Sequence, residues 1–166
     1  MRSEDLQITQ LEGGYSISVS GRANFDYAVP LRELSEKLTP DSWLQIDLTG
    51  CEAMDSTFMG VLTMLALKLR KSGSKVMLIG ADGTLQKLLR DLGVLKLFNL
   101  VSEKEDEISG KNIEVTSARD MLTTARTVAD AHRALVGADS SNAEKFKSVI
   151  EFADQDVARL SEKKSE

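Results

Sequence analysis

From Ser56 to Leu67 the chain runs twelve residues without a charge, "STFMGVLTMLAL", between the strand-like "WLQIDLTG" and the helix-stopping "KLRKSG". At helical spacing Met59, Leu62, Ala66 and Leu69 make one face, and Phe58, Val61 and Leu65 make a second, roughly 100° away. A helix that covers a sheet needs only one apolar face. The second must therefore lie under another segment, widen the buried face, or meet a partner. The polar trio Asp55, Ser56 and Thr57 opens this helix.

A strand that enters a helix through a short polar loop is half of a β-α-β unit, and the first hundred residues repeat the pattern. "DLQITQLEG" and "YSISVSG" flank Gly13-Gly14, a pair suited to a hairpin turn. "YAVPLRELSEKL" carries Leu31, Leu34 and Leu38 on one helical face, with Pro30 expected in the first turn. "KVMLIG" reads as a doubly covered strand, "DGTLQKLLRDLG" as a helix and "LKLFNLV" as a last strand. The order β-β-α-β-α-β-α-β predicts an α/β fold with a largely parallel sheet.

The pattern then changes. Residues 102–112, "SEKEDEISGKN", read as a charged linker. Beyond it the period is helical only. One stripe includes Met121, Leu122, Ala125, Val128, Ala129, His132 and Leu135; another runs through Phe146, Val149, Ile150, Ala153, Val157 and Leu160. "GADSSN" separates them, so residues 113–160 are expected to form a two-helix hairpin, with Ser117 and Asp120 as a capping box and 161–166 as a frayed tail. Two helices alone bury little surface, so the hairpin should dock on the first domain (residues 1–101) or pair with a second copy as a homodimer.

Composition narrows the function classes. The 166 residues carry a net charge of -5, which argues against nucleic acid as a partner. No apolar run reaches the length of a membrane span, and the N-terminus "MRSEDLQ" lacks a signal-peptide core, so no direct membrane insertion is expected. The lone cysteine, Cys51, cannot form an internal disulfide and reads as a small buried thiol. These features suit a bacterial cytoplasmic protein.

Few residues offer chemistry. His132 is the single histidine, so no multi-histidine metal site can be assembled, and on an apolar stripe it reads as a core or helix-edge residue. "GADG", Gly80 to Gly83, lacks P-loop spacing and lysine and reads as an ordinary turn. Ser56 stands where a helix N-cap belongs. Its hydroxyl either caps the free N–H groups or accepts a phosphate, which the positive end of a helix dipole favours. The loop "GRANFD" should gather at the same sheet end. No catalytic residue, metal or cofactor is expected, and the chain reads as a non-enzyme.

The segments "SVSGRANFDYAVPLREL", "LQIDLTGCEAMDSTFMGVL" and "KVMLIGADGTLQKLLRDLGVLKLF" resemble the STAS domain, and within it the bacterial anti-sigma factor antagonists. The resemblance covers roughly residues 4–100 and implies a mixed sheet of four or five strands with helices mainly on one face. It implies Ser56 as a phosphorylation site, with Thr57 as the alternative. The implied partner surface comprises Asn24, Asp26, Asp55, Ser56, Thr57, Phe58, Met59, Val61 and Leu62. The implied partners are an anti-sigma factor that is also a serine kinase of the histidine-kinase-like ATPase fold, and a PP2C-type phosphatase. Thr57-Phe58 stands where the family commonly has Ser or Ala followed by Gly. The expected function is phosphorylation-controlled partner switching in transcription or stress signalling. Two alternatives stay open: a STAS scaffold subunit of a lipid-transport or stress-signalling assembly, and a small nucleotide-binding α/β protein.

Overall fold

The computed structural model describes residues 5–74, 76–103, 110–113, 115 and 120–165. Strands β1 (Asp5–Leu11) and β2 (Gly14–Ala23) form an antiparallel hairpin. Leu11 pairs with Gly14, so the turn residues are Glu12 and Gly13. Gly13 takes a φ of +80°, which a side chain would oppose. Gly14 answers a different demand. It belongs to β2, and a Cβ there would stand 2.6 Å from Cε2 of Trp43. The indole lies across the turn and donates from Nε1 to the Glu12 carbonyl at 3.1 Å.

Three crossovers follow: α1 (Phe25–Lys37) to β3 (Trp43–Met54), α2 (Ser56–Arg70) to β4 (Val76–Ile79), and α3 (Gly83–Asp91) to β5 (Phe98–Val101). Strands β2, β3, β4 and β5 are parallel neighbours in that sequence. Right-handed crossovers that all step the same way put their helices on one face of the sheet. Ile8, Ile17, Ile46 and Leu78 lie in one register row across four strands, and all four are buried. Burying each such side chain contributes about 1.5–3 kcal/mol, so this row anchors the core.

The sheet has six strands in the order β5-β4-β3-β2-β1-β6, one more than the four or five expected. The extra strand, β6 (Lys111–Ile113), comes from the end of the segment read as a linker and pairs antiparallel with β1. Its polar composition carries no strand signal; backbone bonding to an otherwise open edge forms it. Residues 104–109 of that segment lie outside the described residues. Leu95–Leu97 wind into a 3-10 turn, so the last parallel strand starts only at Phe98. Asn24 caps α1 and starts it at Phe25, which places Pro30 in the second turn, not the first.

The expected helical hairpin is formed by α4 (Met121–Ala138) and α5 (Asn142–Ser165). Asp120 caps α4, accepting from the Leu122 N–H at 3.0 Å; Ser117, the expected cap, lies outside the described residues. Helix α5 continues past residue 160 as far as Ser165. The hairpin docks on the first domain, with α4 against α2 and α1. Buried Asn142 ties its turn down, donating to the carbonyls of Leu92 and Leu135 at 2.9 Å each. Arg32 of α1 pairs with Asp130 of α4 at 2.8 Å. No described helix is long and apolar enough to cross a membrane. No group of metal-ligating side chains occurs among the described residues.

Candidate functional site

The end of β3 and the start of α2 define the site. Asp55, not Ser56, is the N-cap: its carboxylate accepts from the Phe58 N–H at 2.8 Å. A carboxylate outcompetes a hydroxyl there because its charge also faces the positive end of the helix dipole. Burial pushes Asp55 above the ordinary carboxylate value, while the Phe58 N–H and the nearby His132 pull it back down. Ser56 becomes the first helical residue, half-buried.

Pairing between β2 and β3 places Ala23 opposite Met54, and the Asp55 N–H donates to the Ala23 carbonyl at 3.0 Å. The "GRANFD" loop therefore does lie beside the Asp-Ser-Thr loop. Asn24 is half-buried and accepts from the Asp26 N–H at 2.9 Å, while Asp26 is exposed. Thus Asn24, Asp26, Asp55 and Ser56 gather at one sheet end, as the carboxyl ends of parallel strands require.

The Ser56 hydroxyl points at the hairpin. Its Oγ lies 2.8 Å from Nε2 of His132, whose Nδ1 lies 2.7 Å from the Val128 carbonyl. A carbonyl only accepts, so Nδ1 carries the proton of the neutral ring. Nε2 is then the acceptor, and the Ser56 hydroxyl donates to it. His132 is 1% exposed and packs edge-on against Phe146, with ring centroids 4.9 Å apart. Burial pushes its pKa below the ordinary histidine value; the Val128 bond and the Asp55 charge oppose that shift. The sequence read His132 as a core or helix-edge residue and did not show its bond to Ser56. The one available signal was a lone histidine on an apolar stripe.

The second apolar face of α2 is buried, not offered to solvent. Phe58, Val61 and Leu62 are fully buried and Met59 nearly so, which removes them from any exposed partner surface. Thr57 is buried as well, so it is a poor alternative to Ser56 as a phosphate acceptor. The cause is α4. A Cβ on Gly60 would stand 2.7 Å from the Ala131 methyl carbon and closer still to its carbonyl oxygen, so the two helices cross with a glycine in the contact.

The remaining candidates stay quiet. The buried Cys51 thiol donates to the Ala53 carbonyl at 3.4 Å, and burial pushes its pKa up, away from a reactive thiolate. In the Gly80–Gly83 turn the Asp82 carboxylate caps α3, accepting from the Leu85 N–H at 2.9 Å, which puts a negative charge where a bound phosphate would sit. Beside the site, exposed Phe25, Met121, Val149 and Phe152 line a groove of about 660 Å³ that the sequence reading did not foresee.

With this geometry in place, the family is settled. Residues 7–102 match the family described as "Mlab, STAS domain", and the chain belongs to it. No curated protein matches the chain. Among solved structures, the anti-sigma factor antagonist SpoIIAA in its unphosphorylated form is similar, at 13% identity and a TM-score of 0.52, covering 61% of this chain and 91% of that one. A Thermotoga maritima protein (tm1081), provisionally described as an anti-sigma factor antagonist, also matches at 13% identity. Its TM-score is 0.49, with 58% of this chain and 86% of that one covered. At 13% identity the likeness to SpoIIAA is one of fold. The family match ends at residue 102, before α4 and α5 begin.

Proposed function

We propose that this chain is a regulatory binding protein, not an enzyme, whose STAS domain exchanges partners under control of a phosphate on Ser56. The observation that carries this reading is the position of Ser56: first residue of the helix that follows β3, half-buried, beside the exposed loop that holds Asp26. A phosphate there adds about -1.5 to -2 charge next to the Asp55 carboxylate. It also removes the hydroxyl proton now given to His132. The two states of the site thus differ in charge and in hydrogen bonding, which is what a partner needs to tell them apart. The fitting partners are an anti-sigma factor that doubles as serine kinase and a PP2C-type phosphatase, in a bacterial cytoplasm. The test is mass spectrometry of the protein from its native cell, then incubation with the kinase recovered by pull-down. The expected outcome is one phosphate at Ser56 and at least about tenfold weaker binding of the modified form, a change of about 1.4 kcal/mol. Ser56→Ala should bind constitutively. Phosphate mapped to another residue, or equal affinity of both forms, overturns the reading.

One observation favours a second reading. The Ser56 hydroxyl already has an intramolecular acceptor, and α4 already covers α2. A scaffold subunit with no phospho-switch would show the same features, with Ser56 as a structural residue. Stable co-purification with an assembly, unaffected by Ser56→Ala, supports that alternative.

A further inference from the structure

We propose that the α4–α5 hairpin is a displaceable cover: α4 occupies in cis the α2 face that takes a partner helix, and a partner must compete with it. The proposal rests on reading the start of α2 as the partner surface. The contact shows what such a helix must look like. Ala131 sits against Gly60, where no side chain larger than a methyl fits, and the next residue, His132, accepts from Ser56. The face therefore selects a helix with a small residue at the crossing, followed by a side chain that can accept a hydrogen bond.

Three features make the cover displaceable. First, α4 brings little apolar area to the contact. Leu122 and Leu135 are the large aliphatic side chains among its buried residues, and the others are alanines, Thr127 and His132. Second, the ties are polar. The Arg32–Asp130 pair is partly exposed, the Ser56–His132 bond can be re-formed with another acceptor or with water at small net loss, and of the two buried Asn142 bonds only the one to the Leu92 carbonyl crosses to the first domain. Third, docking leaves the apolar stripes incompletely covered: Met121 is 64% and Phe152 67% exposed, next to Phe25 at 45%. The STAS family match also ends before the hairpin begins.

The test uses the full chain and, as probe, a fluorescent peptide spanning residues 120–165. Ala131→Leu in the chain should wedge its own α4 off Gly60 while leaving the α2 face intact. Hydrogen exchange in α4 and α5 should then quicken at least tenfold while β2, β3 and β4 keep their rates. The same variant should bind the peptide at least tenfold more tightly than the unaltered chain does, and adding Gly60→Leu should abolish that gain. Asp130→Arg, which breaks the tie to Arg32, is a milder second variant expected to act in the same direction. Unchanged exchange and peptide affinity in both variants overturns the proposal. So does loss of sheet protection in both, because the hairpin is then part of the fold and not a cover. None of these readouts involves phosphate, so the cover and the Ser56 switch fail separately.

Discussion

Ser56 Oγ stands 2.8 Å from Nε2 of His132, 76 positions further along the chain, and this bond joins the STAS domain to its helical extension. Because Nδ1 is engaged by Val128, the imidazole has one way to serve Ser56, as acceptor. Ser56→Ala leaves a buried ring nitrogen without a partner, and should destabilise the protein by about 1–3 kcal/mol. His132→Ala should be at least as harmful, since it also removes the ring packed on Phe146. Urea unfolding of both single variants and the double variant gives the coupling, expected at about 0.5–1.5 kcal/mol. Strict additivity would mean that the bond contributes nothing in solution.

Asp55 carries the helix start. Its carboxylate takes the Phe58 N–H, so Asp55→Ala should cost about 0.5–2 kcal/mol. Asp55→Asn keeps an acceptor oxygen and sheds a charge that burial penalises, so it should cost distinctly less. Thermal melts of the two variants rank them. If asparagine is as damaging as alanine, the charge matters more than the cap.

Much of this arrangement was legible in the sequence, because hydrophobic period and turn chemistry are local. The alternation in "YSISVSG", the apolar run of α2 and the break at "GADSSN" each placed an element near where it lies. The polar trio Asp55, Ser56 and Thr57 placed Ser56 at the opening of α2. Three things were hidden. β6 is held by backbone pairing with β1, which no side-chain pattern encodes. The cap on α2 shifted by one residue because Asp and Ser stand side by side and both can cap. The cover of α2 by α4 depends on a contact between Gly60 and Ala131, two small residues that by themselves signal nothing. Phe58 lies on the opposite side of α2 from Gly60 and belongs to the core, not to a partner surface.

Phe58 is 0% exposed inside the core that α2 shares with the sheet. Phe58→Ala should open a cavity and lower stability by about 3–5 kcal/mol. Phe58→Leu, which keeps most of the volume, should lose much less. Equilibrium unfolding with intrinsic fluorescence from Trp43 as reporter measures both. A fold unaffected by the alanine would return Phe58 to the surface and restore it as a partner contact.

The chain has one histidine, which makes its pH response readable. Burial holds the folded-state pKa of His132 below its ordinary value of 6.5. As pH falls below 6.5 the unfolded chain takes up the proton first, so the folded state loses stability until pH passes the folded pKa. Asp55 acts with the opposite sign. Its folded pKa lies above 3.8, so its contribution is complete below that value and is lost as pH rises through the folded pKa. Acidification just below 6.5 should therefore loosen the protein through His132, and at still lower pH Asp55 should offset part of the loss. The His132 ring signals in an NMR titration should have their midpoint below 6.5, and His132→Gln should flatten the stability profile in the window just beneath that value. A ring that titrates at or above 6.5 would place His132 in water, undocked from Ser56, and α4 with it.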